Sequence, residues 1–165
     1  REEIKQMKIE DQKYRNDNYQ ENINKQEKID EYNTNRIIEI FNEFGYPNET
    51  VIGSYSVNQT HVYISTMLLH TSDSIRINYF VPKIKEFVKN GTASPSALGT
   101  MIDQYYLYNG EPQIYGTYWA QGGGYANMLD DLKKVDSNRI SIGLPLLELK
   151  EKKDSILKVR YSDLF

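Results

Sequence analysis

Apolar residues recur at helical spacing along most of the chain. Ile37, Ile38, Phe41 and Phe44 follow this rhythm, and Gly45 and then Pro47 come directly after them. Such spacing places the apolar side chains on one face of a helix, and glycine followed by proline is typical of a helix C-terminus. The same reasoning predicts helices over about 2–16, 34–45, 53–70, 73–90, 95–109 and 145–153, with a less regular helix running toward 30. The predicted fold is therefore mainly α.

The two ends of the sequence are more polar than its middle. Residues 1–34 are rich in charged and amide side chains, which predicts a polar N-terminal helical region lying on the outside of a core. Residues 154–165 are expected to form an extended tail. Because 165 residues are a usual size for one domain, we predict a single helical domain over 1–165.

Residues 112–128 differ from the rest of the chain in composition. Gln113 to Ala120 are mostly aromatic, β-branched or polar, and three glycines, 122–124, follow them. Two short strands joined by a glycine turn would form a β-hairpin. We therefore predict one small β-hairpin near 112–128.

Charge and hydropathy argue against two kinds of partner. The chain has 20 Lys plus Arg and 23 Asp plus Glu, for a formal charge of −3. Neither nucleic acid nor an anionic membrane surface would attract the molecule as a whole. No apolar run approaches the roughly 20 residues needed to cross a bilayer. We therefore expect no nucleic-acid partner and no membrane span.

The sequence has no cysteine and two histidines, His61 and His70. The lack of cysteine excludes disulfides, zinc–thiolate sites and a cysteine nucleophile. Two histidines exclude a site of three histidines on one chain, whereas a mixed histidine and carboxylate site stays possible. We predict neither a metal nor a cofactor.

The origin and location of the protein are inferred from weak signals. Asn, Ile, Lys and Tyr are abundant, which is typical of an AT-rich bacterial genome. The first residue is Arg1, not Met, so a signal peptide, a lipoprotein leader or a fragment boundary is expected upstream. A periplasmic or cell-surface location is favoured slightly over a cytoplasmic one. The sequence leaves the oligomeric state open.

Several short motifs together resemble a bacterial family of domains of unknown function. The resemblance covers roughly 8–149 and rests on their order: Asp11-Gln12-Lys13-Tyr14-Arg15, Gly45-Tyr46-Pro47, Leu69-His70, Asp103-Gln104, Gln113-Ile114-Tyr115-Gly116-Thr117, and Arg139 with Gly143-Leu144. The chain departs from the family pattern at three positions, because Leu69 and Tyr118 replace glutamine and Gln104 replaces arginine. The resemblance implies a fold and a polar site, but it implies no reaction.

His70 and Asp103 are the two candidate catalytic residues. Imidazole titrates near neutral pH and can act as a general acid or base, and a carboxylate can orient it. Each also has a structural interpretation. A histidine at a helix C-terminus interacts favourably with the helix dipole, and a buried aspartate can form an ion pair with Arg15 or Arg139.

Five further residues are candidates for binding a ligand: Arg15, Gln113, Tyr115, Thr117 and Arg139. Arg15 also lies four positions after Asp11, so the two side chains share a helical face and can pair. If they gather around one hollow, they would bind a small polar ligand or a peptide, which is the favoured function. The alternatives are a small hydrolase-like enzyme that uses a His/Asp pair, and a structural network of the same polar residues.

Overall fold

A computed structural model describes residues 1–15, 19–57 and 60–160, and it is mainly helical. The chain divides into two compact units, Arg1–Ala93 and Ser94–Phe165, which are treated separately below. The prediction of one domain over 1–165 stays a prediction. Over the described residues, no helix combines the length and the apolar character needed to cross a membrane.

The first unit consists of short and long helices with one small pair of strands. Its elements in chain order are α1 (Glu2–Gln12), α2 (Tyr19–Phe44), α3 (Glu49–Ile52), β1 (Ser56–Val57), β2 (Thr60–His61), α4 (Ser65–Leu69), α5 (Asp73–Ile75), a π-helical segment (Arg76–Phe80) and α6 (Val81–Lys89). The strands β1 and β2 pair antiparallel, with Ser56 opposite His61. The predicted helix over 53–70 is therefore wrong for its first half, where β-branched and hydroxyl residues favour extended chain and turns over a helix.

The described part of the polar N-terminal region is largely helical, as predicted, but the helix boundaries differ from the prediction. A single helix, α2, runs through the expected break near residue 34. The predicted helix start at residue 34 is therefore wrong, and the hydroxyl of Thr34 donates to the carbonyl of Asp30 at 2.6 Å, inside the helix. Because this bond stays within the helical turn, Thr34 does not interrupt the helix. The predicted end at Gly45 is confirmed, with φ at 74°.

Aromatic rings form the centre of the first unit. Phe41 on α2 lies 5.8 Å from Phe80 and 5.1 Å from Phe87, both edge-to-face, and 5.9 Å from Tyr46. Edge-to-face pairs at these distances are favourable beyond the area that they bury. This cluster packs α2 against the π-helical segment and α6.

Over its described residues, 94–160, the second unit contains three helices and a long loop. Its helices are α7 (Pro95–Tyr108), α8 (Leu132–Ser141) and α9 (Leu147–Arg160). The predicted start of α7 is confirmed, because Ser94 caps the nitrogen of Ser96 at 3.2 Å. The predicted extended tail is wrong over 154–160, where α9 continues and Lys150 pairs with Asp154 at 2.9 Å. Residues 161–165 of that predicted tail lie outside the described residues.

The predicted hairpin near 112–128 is wrong. Two isolated bridges are found there, Gln113 with Met128 and Trp119 with Tyr125, and no continuous ladder joins them. The backbone groups that a strand partner would have bound are bound by side chains of Asp103 and Gln113 instead. A side chain that satisfies the backbone removes the need for strand pairing.

Candidate functional site

His70 in the first unit lies against a buried carboxylate. The residue follows the last residue of α4, and its Nδ1 is 2.9 Å from both carboxylate oxygens of Asp11. The Asp11 side chain is 1% exposed, whereas that of His70 is 22% exposed. The imidazole therefore contacts a buried carboxylate on one side and stays partly accessible.

Neighbouring side chains and helices hold Asp11 in place. Gln12 donates to Asp11 Oδ2 at 2.5 Å, and Gln26 donates to the backbone carbonyl of Asp11 at 2.9 Å. The guanidinium of Arg15 lies 3.8 Å from Asp11 Oδ1 and also donates to the carbonyl of Asp11 at 3.0 Å. The i, i+4 pairing of Asp11 and Arg15 expected from their spacing is thus present. These donors suit an ionised carboxylate.

Asp30 on α2 completes this cluster. Its carboxylate forms an ion pair with Arg15 and accepts a hydrogen bond from Gln26 at 2.9 Å. Gln26 is fully buried, and no hydrogen-bond partner is found for its Oε1. The cluster therefore joins α1, α2 and the end of α4 through charged and amide groups, and we call it the Asp11–His70 cluster.

A cavity of about 370 Å³ opens beside this cluster. Its lining combines carboxylates with hydroxyl, amide and imidazole groups: Glu27, Asp30, Glu31, Thr34, Asn35, His70, Ser72 and Ile75. Since Nδ1 of His70 faces Asp11, the ring nitrogen left for a ligand is Nε2. A molecule in this cavity would meet an imidazole, three carboxylates and several neutral polar groups.

Three groups of the cluster also have the spacing of metal ligands. Asp11, Asp30 and His70 each offer one ligand atom, and these atoms lie within 4.8 Å of one another. Carboxylate oxygen and imidazole nitrogen suit divalent cations such as Zn²⁺ or Mn²⁺. The guanidinium of Arg15 already contacts both carboxylates, so a metal would compete with a cation that the chain supplies itself.

Asp103 in the second unit is fully buried and surrounded by donors. Its Oδ1 accepts hydrogen bonds from the nitrogens of Ile114 and Tyr115, at 2.8 and 2.9 Å. Its Oδ2 accepts from the nitrogen of Thr117 at 3.0 Å and from the hydroxyl of Thr117 at 2.8 Å. Burial raises the pKa of Asp103, and these four hydrogen bonds act in the opposite direction.

Gln113 and Arg139 hold the same loop from other sides. Gln113 accepts from the nitrogen of Tyr118 and donates to its carbonyl, both at 2.9 Å, and it also donates to Ala126. Arg139 is 1% exposed and donates to the carbonyls of Tyr115 and Pro145, both at 2.5 Å. Burial lowers the pKa of the Arg139 guanidinium. All these contacts fix the backbone of the loop.

The candidate residues from the sequence therefore lie in two groups. Arg15 and His70 belong to the Asp11–His70 cluster, whereas the others belong to the second unit: Asp103, Gln113, Tyr115, Thr117 and Arg139. The expected hollow shared by both groups, and the His70–Asp103 pair, stay predictions. The carboxylate found on His70 is that of Asp11.

The three departures from the family pattern take backbone or local roles. The carbonyl of Leu69 accepts from Arg76, the amide of Gln104 lies 3.4 Å from the hydroxyl of Tyr108, and Tyr118 is bound through its backbone by Gln113.

Sequence reasoning missed Asp30, Gln26 and the partner of His70. One signal was available for Asp11. The buried residues of α1 are Ile4, Met7 and Asp11, so the carboxylate follows two apolar residues on one helical face. A charged residue on a buried stripe needs a partner, although the sequence does not say which one.

Comparison with known families supports membership of a family of unknown function. A family of unknown function, DUF6624, matches residues 2–158. The chain belongs to this family, and membership brings no assigned activity. The chain matches no curated protein and no solved structure.

Proposed function

We propose that the first unit carries a proton-transfer site of hydrolytic type, in which Asp11 orients His70 as the general base. The observation that carries this proposal is the placement of Nδ1 at 2.9 Å from both oxygens of a buried carboxylate. Geometry of this kind selects one imidazole tautomer and stabilises the imidazolium that forms during catalysis. His70 also lines a cavity of about 370 Å³ that can admit a ligand.

The chemistry follows from the two ring nitrogens. With its proton on Nδ1 and directed at Asp11, His70 presents an unprotonated Nε2. This nitrogen takes a proton from a water molecule or a hydroxyl group as that oxygen attacks the substrate. The imidazolium then returns the proton to the leaving group, so that the resting tautomer is restored. Asp11 stays ionised throughout.

The lining of the cavity limits the choice of nucleophile and ligand. The chain has no cysteine, and the hydroxyls in the lining are those of Thr34 and Ser72. Thr34 already donates its hydroxyl to Asp30, which leaves water or Ser72. The carboxylates of Glu27, Asp30 and Glu31 disfavour an anionic substrate. A small neutral or cationic polar molecule, or the corresponding part of a peptide, fits this lining.

The polar residues of the second unit favour a different role. Asp103, Gln113 and Arg139 are each at most 1% exposed, and their polar groups bind backbone atoms of one loop. We propose that they form a structural network that fixes this loop, which is the second of the two alternatives raised from the sequence. Their substitution would then change stability before it changed chemistry.

The proposed site is tested by two substitutions and a matched control. Asp11→Asn should shift His70 away from the Nδ1–H tautomer, because the asparagine side chain offers Nδ1 one neutral acceptor oxygen in place of two carboxylate oxygens. Selective ¹⁵N NMR of the imidazole measures this shift. Glu10→Gln makes the same carboxylate-to-amide change on α1, where Glu10 contacts Gln6 and Lys13, and should leave the tautomer unchanged.

Turnover is measured on a panel of chromogenic esters, amides, phosphate esters and glycosides. Any activity found should disappear in His70→Gln. It should fall in Asp11→Asn by a factor on the order of 10⁴, the size seen where a triad aspartate is replaced by asparagine. Turnover that survives His70→Gln, or a tautomer that ignores Asp11→Asn, contradicts the proposal. So does a panel on which the wild-type protein is inactive throughout.

A further inference from the structure

We infer that Arg76 is a positioning residue for His70, an inference that rests on the proposed function. Arg76 begins the π-helical segment, six residues after His70, and is 3% exposed. It is not among the residues that line the cavity described above. Its effect would pass through the backbone that carries the imidazole.

The contacts of Arg76 bracket His70 along the chain. One guanidinium nitrogen, Nη2, donates to the carbonyl of Leu69 at 2.9 Å and to the carbonyl of Thr71 at 2.5 Å. These are the residues immediately before and after His70. A single cationic group thus holds both neighbouring carbonyls.

The position needs such a support because α4 is short. Ser65–Leu69 is a helix of five residues, and the last carbonyls of any helix lack donors from the helix itself. The hydroxyl of Thr71 satisfies the carbonyl of Leu68 at 2.8 Å, and Arg76 satisfies the next one. A cation at a helix C-terminus is also favoured by the helix dipole.

The same support determines whether the imidazole can meet both oxygens of Asp11. Residue 70 ends α4 with φ −94° and ψ −1°. If the carbonyls around it were released, the backbone could rotate there. A small rotation would carry Nδ1 away from one or both oxygens, which lie at 2.9 Å.

Arginine has the right shape for this role, and lysine does not reproduce it. The planar guanidinium presents several donors in fixed directions, whereas an ammonium is a point charge on a flexible stem. The other terminal nitrogen, Nη1, lies 3.0 Å from Asp73 Oδ1. Asp73 is 45% exposed, so it orients the guanidinium from the solvent side while Nη2 faces the buried carbonyls.

Three variants and a control test the inference. Arg76→Met removes the donors and keeps the stem, Arg76→Lys keeps the charge, and Asp73→Asn loosens Arg76 without touching His70. Arg36→Met is the matched control, because Arg36 pairs with the exposed Glu3 and Glu39. The readout is the tautomer ratio of His70 by ¹⁵N NMR, together with turnover on any substrate found.

The ratio of Nδ1–H to Nε2–H should fall about tenfold in Arg76→Met, the factor expected if the displaced imidazole loses its charge-assisted hydrogen bond to Asp11. Arg76→Lys should fall between Arg76→Met and the wild type, and Arg36→Met should not change the ratio. Folded Arg76 variants with the wild-type ratio and turnover would overturn the inference. If neither Arg76 variant folds, Asp73→Asn decides, because an unchanged ratio there also overturns it.

Failure of this inference is distinguishable from failure of the proposed function. If Asp11→Asn shifts the tautomer and the Arg76 variants do not, His70 and Asp11 form the functional pair and Arg76 only stabilises the fold. If Asp11→Asn has no effect, the proposed function itself fails, whatever Arg76 does.

Discussion

Asp103→Asn is the sharpest test of how the second unit is built. The substitution keeps the shape of the side chain and changes only its hydrogen-bonding character. In the native protein both carboxylate oxygens accept two hydrogen bonds each, from Ile114, Tyr115 and Thr117. Asparagine keeps one acceptor oxygen and places an NH₂ group against the two donors that the other carboxylate oxygen had bound.

The expected cost follows from these four contacts. Two hydrogen bonds to a charged acceptor are lost, each contributing about 1.5–3 kcal/mol. Part of this loss is recovered, because an amide avoids the cost of burying a charge, the same cost that raises the pKa of Asp103. We therefore expect a net loss of about 2–4 kcal/mol in the free energy of unfolding of the second unit.

The assay uses the single tryptophan of the chain. Trp119 lies in the loop that Asp103 holds and stacks on Tyr125 at 4.7 Å, so its fluorescence in a urea titration reports on the second unit. Far-UV circular dichroism follows the helices of both units in parallel. Glu111→Gln, the same chemical change at an exposed position, is the control. A value for Asp103→Asn within about 0.5 kcal/mol of the control would refute the reasoning, since that is the usual scatter of surface substitutions.

Three further predictions concern the same loop and use the same fluorescence assay. Gly116→Ala should destabilise the second unit by at least about 1 kcal/mol more than Gly110→Ala. Both glycines have positive φ, but of the two only Gly116 has side chains where a Cβ would lie, the nearest atom at 2.8 Å. Equal losses of stability in the two variants would contradict this reasoning. Arg139→Met should lower the free energy of unfolding by about 2–4 kcal/mol through two lost charge-assisted hydrogen bonds. Arg160→Met, the same change at an exposed position of the second unit, should cost less than about 1 kcal/mol, and similar costs would contradict the structural role of Arg139. Because the native pKa of Asp103 is raised, the native state binds its proton more readily than the unfolded chain, so this contribution to stability should be present below the ordinary carboxyl range and lost as pH rises through the native pKa. Asp103→Asn should remove that part of the pH dependence of the unfolding free energy. The same pH dependence in wild type and mutant would contradict the raised pKa of Asp103.

Local signals in the sequence predicted two helix boundaries correctly, the end of α2 and the start of α7. Gly45 ends α2 and Ser94 caps α7 because each signal acts within a few residues of its own position. The prediction of a hairpin was wrong because the contacts that shape residues 112–128 are not local in sequence. The residues that satisfy its backbone include Asp103, which lies at least 11 positions earlier in the chain, and no local pattern shows that a distant carboxylate replaces a strand.

The candidate site was predictable only in part, for the same physical reason. His70 was identified from its chemistry, and the pairing of Asp11 with Arg15 from helical spacing. The contact of His70 with Asp11 joins residues 59 positions apart, and it depends on how α1, α2 and α4 pack. Periodicity within one helix carries no information about that packing.

The π-helical segment also sets the register between Arg76 and α6. A π turn corresponds to one residue inserted into an α-helix, and such insertions are often kept where they serve a function. In Arg76–Phe80 the extra residue comes just before Pro82, whose ring has no N–H to give to the carbonyl four residues earlier. Deleting one residue among 77–79 would restore an α-helical register and turn Arg76 by about 100° relative to α6. Family members that lack this residue would have to support His70 in another way, so sequence length at this point offers a simple marker for sorting the family.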